Sequence, residues 1–179
     1  MLEVLPLVFF IGVVNRIADM IADDGLKLNR YLGYSLGIVY GIMIAYVLTQ
    51  YPVLAPLGLA IILSVMFTGK IDHKVHYFGI GTFILFMAMW GIGSVGPLLI
   101  AIFIAAGILD EIGNDHADKK GKGLFSRFFM LRLTMEMFAL AVSAYTGQWI
   151  ILVSIFFYDL GFTYIFPQRV RKKLLEIAG

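Results

Sequence analysis

Asn15, Asp19 and Asp23 stand four residues apart in the stretch NRIADMIAD, and Asp110, Asn114 and Asp118 repeat that spacing in DEIGNDHAD. Residues four apart share one face of a helix, because a turn takes 3.6 residues. Two carboxylates one turn apart can hold a hard divalent cation. Mg²⁺ takes oxygen ligands, keeps part of its water shell and is commonly completed by phosphate oxygens of a substrate. Two such ladders facing each other would grip a diphosphate between metal ions, with Asp24, Glu111 and Asp115 on neighbouring faces. Like charges one turn apart repel by a few tenths of a kcal/mol, which a bound cation would relieve. The same acids also fit a plainer role, as solvated residues balancing nearby Lys and Arg.

The elements that must position these ladders are apolar. Of the 179 residues, 60% are hydrophobic and only 15% charged, and the mean hydropathy is +0.89. Soluble domains are nearer half apolar and a quarter charged, so the composition points to an integral membrane protein. The absence of cysteine excludes disulfides and thiolate metal sites. Seven apolar segments can be drawn, at about 2–18, 31–49, 53–68, 76–92, 95–109, 126–146 and 149–166. They lack the two-residue alternation of a barrel, and a lipid bilayer leaves helices as the other choice. The expected fold is an all-α bundle of about seven transmembrane helices. No linker composition divides it, so residues 1–179 read as a single domain. The N-terminal MLEVLPLVFF lacks a basic region and a small-residue cleavage site, and reads as the start of the first span.

Charge placement sets an expected orientation. Arg16, Lys27 and Arg30 fall in or beside the first connection, Lys70 and Lys74 in the third, and Lys119, Lys120, Lys122 and Arg127 in the fifth. Arg169, Arg171, Lys172 and Lys173 lie in the C-terminal tail, whereas the second, fourth and sixth connections carry no Lys or Arg. The positive-inside rule then puts the N-terminus outside and the C-terminus in the cytoplasm, and the expected location is the cell membrane. The acids crowd that same cytoplasmic face, with Glu3 alone at the outer end. Asp and Glu contribute little to topology, so their clustering asks for another cause.

The paired ladders resemble the motifs of the UbiA superfamily of intramembrane prenyltransferases. NRIADMIAD is similar to that family's NDxxDxxxD motif, with Arg16 where Asp is usual. DEIGNDHADKKGKG is similar to its DxxxDxxxD motif and basic tail, with Asn114 where the middle Asp is common. The ladders sit on spans one and five, four helices apart, as in the family. FTGKIDHKVHYFG, between spans three and four, matches in character the family's connection with an aromatic residue, basic residues and a Gly. Family members carry further helices and longer caps after the motifs, so this chain resembles the fold without its first and last helices. The resemblance implies a Mg²⁺-dependent transfer of a prenyl group from a prenyl diphosphate to an aromatic or lipid acceptor. Asp19, Asp23, Asp110 and Asp118 would be the metal and catalytic residues. Asn15, Asn114, Lys70, Lys74, Lys119 and Arg30 would contact the substrate, and Lys120 is a further candidate for its phosphate oxygens. The prenyl tail would lie in a groove lined by some of the 15 Phe and 9 Met.

Other polar residues are embedded. Arg132 and Glu136 stand one turn apart in RLTMEM, and Asp159 lies in FFYDLGF; such acids face a partner or a cavity. Asp72 and His76, also one turn apart, have the spacing of a transition-metal pair with no third ligand beside them in sequence. WGIGSVG reads as an outer turn, and no basic–aromatic interleaving points to nucleic acid. Two other functions fit parts of the pattern. CDP-alcohol phosphatidyltransferases are also small, helical and Mg²⁺-dependent, and DDGLKLNR offers the Asp-Gly and Arg of their motif without its later acids. An ion-coupled transporter would use Glu136, Asp159 and Arg132, but would place its key charges nearer the midplane.

Overall fold

The computed structural model describes residues 2–23, 26, 28–69, 71, 73–93, 95–120, 123–130 and 133–166, and only the backbone at 118–120, 125, 127 and 130. The described elements are helical throughout: α1 (Val4–Ala22), α2 (Arg30–Gln50), a 3₁₀ turn (Pro52–Leu54) leading into α3 (Ala55–Phe67), α4 (Lys74–Trp90), α5 (Pro97–Lys120), α6 (Leu124–Met130), α7 (Leu133–Thr146) and α8 (Ile150–Asp159). A π-helical turn, Leu160–Tyr164, extends α8. Three stretches, Val4–Ala22, Arg30–Gln50 and Pro97–Ala117, are long and apolar enough to cross a membrane.

Each of the seven apolar segments is helical, with two differences from their drawn limits. The sixth comprises α6 and α7, with residues 131–132 between them outside the described residues. Both ladder helices run beyond their apolar stretches, so that α1 continues through Asp19 and α5 through Asp110 and Asn114. Asp19 and Asp110 are therefore helical residues rather than parts of loops, and Asp23 is the C-cap residue directly after α1.

Local chemistry explains the ends. Asn29 has extended backbone geometry, and its side chain accepts the N–H of Tyr31 at 2.9 Å, capping α2. His73 does the same for α4, accepting the N–H of Val75 at 3.3 Å. Gly91, at φ 80°, ends α4 in the left-handed region that a side chain disfavours.

Helix pairing fixes the site. The most extensive contact is α2 with α4; α3 packs on α5, α1 on α2 and α8, α5 also on α6 and α7, and α7 on α8. The main core joins Val4, Val8, Leu48, Leu57, Phe103 and Met135 from five of these helices. A smaller cluster of Ala18, Tyr40 and Val75 ties α1, α2 and α4 together at the ladder end of α1. Backbones meet where small residues allow it. A Cβ at Gly161 would strike the carbonyl of Phe9, and one at Gly12 the carbonyl of Tyr158. Helices in apolar surroundings associate closely through such residues.

Candidate metal and lipid site

The first ladder faces inward at the end of α1. Asp19 and Asp23 are one turn apart, with side chains 20% and 50% exposed. The first turn of α4, started by the His73 cap, brings His76 to them. Its Nε2 lies 3.5 Å from Oδ1 of Asp19 and 3.5 Å from Oδ2 of Asp23. The other ring nitrogen, Nδ1, lies 3.3 Å from the Tyr40 hydroxyl on α2. That approach depends on the close α2–α4 packing, in which Tyr40 lies directly over Gly79. Asp19 also has the Arg16 guanidinium at 3.7 Å, and Arg16 lies over the Phe162 ring at 5.4 Å. The ligand-type atoms of Asp19, Asp23 and His76 all lie within 4.8 Å of one another.

Asn15 begins this ladder but has a different partner. Its side-chain amide donates to the Tyr158 hydroxyl at 2.7 Å, joining α1 to α8. Tyr158 stacks on Phe162, with centroids 5.7 Å apart, inside the segment that leaves α-geometry for the π-turn. π-turns often occur where a helix re-aims side chains at a functional site.

The second ladder is used differently. Asp110 is 3% exposed, and its two carboxylate oxygens accept the backbone N–H groups of Thr134 at 3.0 Å and Met135 at 2.8 Å. The first N–H groups of a helix have no partner within it, and the positive end of the helix dipole favours an anion there. Asp110 thus caps α7 from another helix. Asn114 is half-buried on α5 and is absent from the cavity lining described below. The side chains of Asp118, Lys119 and Lys120 lie outside the described residues, as do Lys70, Asp24, Asp72 and Arg132. Lys74 is exposed at the first position of α4. Arg30 is exposed too, with its guanidinium 5.1 Å over the Tyr31 ring and 3.3 Å from that hydroxyl. The embedded acids Glu136 and Asp159 lie close enough to act on each other electrostatically, as does Asp110 on Glu136.

These groups share one cavity of about 380 Å³. Asn15, Asp19, Asp23, Tyr40 and His76 form part of its wall, with Asp110, Tyr158 and Asp159 elsewhere on the lining. α1 and α5 each pack mainly on other helices, and of the second ladder's described side chains Asp110 alone lines this space. Apart from Ser154 the rest of the lining is apolar, from Val65 and Ile71 through Ile61 and Leu57 to Val47 and Leu54. Along α1 the lining runs from Asp23 to Val8, which at the helical rise is about 22 Å. A cluster of acids and an imidazole beside a largely apolar wall suits an amphiphile whose head binds cations.

The convergence of His76 on the first ladder was not legible from spacing. The sequence pairs His76 with Asp72, whereas the fold brings it to acids more than fifty residues away. The available signal was its position in a polar connection at the same end as both ladders. Tyr40 and Tyr158 lie within apolar segments and offered no signal at all. Comparison of the chain with protein-family models, curated proteins and solved structures finds no match.

Proposed function

We propose that this chain is a membrane-embedded, divalent-metal-dependent enzyme of lipid diphosphates. In the form its motifs resemble, it moves a prenyl group from a prenyl diphosphate to an aromatic or lipid acceptor. The observation that carries this reading is the cavity, with carboxylates and an imidazole at one end of a lining that runs about 22 Å along α1 and is otherwise largely apolar. Exposed apolar side chains along several helices support a lipid surround, among them Phe10, Ile38, Ile84, Leu85 and Phe156. Soluble monomers rarely leave so many large apolar residues uncovered. Within that surround the chain crosses the bilayer seven times, α6 and α7 together forming the sixth crossing. The basic connections place the metal corner on the cytoplasmic side.

The residues present fit a divalent cation on Asp19 and Asp23. Mg²⁺ is the ion the ladder spacing and the resemblance imply, and when bound it would neutralise diphosphate oxygens as the C–O bond to the prenyl group breaks. Asp110 has both oxygens on α7 and acts here through that helix. Arg16 holds Asp19 in place, and Lys74 is available at the rim for phosphate oxygens. The aliphatic wall holds the prenyl tail and excludes water from an allylic cation.

The test is binding of prenyl diphosphates to the purified chain in detergent, with and without Mg²⁺. Asp19→Ala and Asp23→Ala should each abolish the Mg²⁺-dependent part and leave thermal unfolding of the metal-free protein near wild type. Retained Mg²⁺-dependent binding in both variants would refute the reading. Stabilisation by CDP-alcohol lipids alone would transfer the assignment to phosphatidyl transfer.

A further inference from the structure

Two helices far apart in sequence deliver three ligand-type atoms to one point. The two contacts of His76 Nε2 are equal, at 3.5 Å to Asp19 and 3.5 Å to Asp23. Charge-assisted N–H···O bonds are shorter, about 2.7–2.9 Å. Even one N–H shared between the two carboxylates would leave both contacts beyond the usual length of an N–H···O bond, about 2.7–3.2 Å. The separation is instead that of atoms sharing a metal ion, because ligands at about 2.0–2.2 Å from one centre lie roughly 3.0–3.5 Å from each other. The remaining ring nitrogen has a partner suited to that role. With Nδ1–H donating to the Tyr40 hydroxyl 3.3 Å away, Nε2 presents its lone pair to the acids. Metal-bound imidazoles are commonly oriented by such a bond at the other nitrogen.

We infer that Asp19, Asp23 and His76 form a single site for a borderline divalent cation of the Mn²⁺ or Zn²⁺ class, with His76 Nε2 as a direct ligand and Tyr40 as a positioning residue. This deepens the function proposed above, which needs a metal at Asp19 and Asp23 but not a nitrogen donor. Mg²⁺ takes an oxygen shell and gains little from imidazole, whereas the later first-row ions gain much. Three protein ligands leave coordination positions open towards the cavity, as in catalytic rather than structural metal sites. Diphosphate oxygens are the class of ligand that would enter there.

The experiment uses the full chain in detergent micelles and the metal ions alone. Mn²⁺ titration followed by electron paramagnetic resonance should give one ion per chain, with spin-echo modulation from a directly bound ¹⁴N nucleus. His76→Ala should remove that modulation and lower Mn²⁺ and Zn²⁺ affinity by more than about tenfold. Mg²⁺ affinity should change far less. Tyr40→Phe should keep the nitrogen signal and weaken Mn²⁺ binding by about tenfold. Thermal unfolding without metal checks that each variant folds; if His76→Ala does not, His76→Gln and Asp23→Asn carry the comparison. A ¹⁴N modulation that survives in the His76 variant, or unchanged Mn²⁺ and Zn²⁺ affinities, would overturn the site. Mg²⁺-dependent prenyl diphosphate binding with a nitrogen-free Mn²⁺ signal would sink this inference alone. An intact nitrogen signal without any prenyl diphosphate binding would sink the function alone.

Discussion

Replacing Asp110 with alanine separates a structural carboxylate from a metal-binding one. In the fold, its two oxygens hold the N–H groups of Thr134 and Met135 at 3.0 and 2.8 Å in a buried position. Hydrogen bonds to a charged group contribute about 1.5–3 kcal/mol each, and orphaned buried donors add a penalty of their own. The two bonds share one carboxylate and are not additive, and loss of a helix cap by itself typically costs about 1–2 kcal/mol. A destabilisation of about 3 kcal/mol follows, which for a chain of this size lowers Tm by roughly 6–12 °C. Asp110→Asn keeps one acceptor oxygen and should lose about half as much. The assay is thermal unfolding in detergent, run in EDTA and again with Mg²⁺ or Mn²⁺. The shift should be the same in both, because capping of α7 needs no metal. A variant with wild-type Tm in EDTA but lost metal-induced stabilisation would refute the capping argument and return Asp110 to the metal.

Three further outcomes follow from the geometry. Gly161→Leu forces a side chain into the carbonyl of Phe9 and should destabilise by about 2–3 kcal/mol, read as a lower Tm with metal affinity retained. Ile61→Trp fills the aliphatic part of the cavity and should weaken binding of long prenyl diphosphates while leaving inorganic pyrophosphate binding unchanged; equal losses for both would contradict the tail placement. Tyr158→Phe removes the acceptor of the Asn15 amide and should lower stability by about 1 kcal/mol, measured by unfolding without added metal.

Much of the architecture was legible in the amino-acid order. Apolar runs of this length without internal turn signals favour helices, and each of the seven segments contributes one or more. The four-residue spacing of Asn15, Asp19 and Asp23 likewise sets them on one helical face, since it depends only on the pitch. The capping of α7 by Asp110 was not legible, because the segment from 126 to 146 contains no Pro or Gly to mark a helix start there.

What spacing could not decide is which ladder meets which partner. Asp19 and Asp110 have similar local sequence, yet one faces an imidazole and the other caps a helix. That difference comes from the packing of α4 on α2 and of α7 on α5, which rests on contacts between residues far apart in the chain. Local sequence sets the pitch and the end of a helix, and so places charges along it. Only the assembled bundle sets the distance from each charge to groups on other helices, and metal binding and capping both depend on that distance to within a few tenths of an ångström.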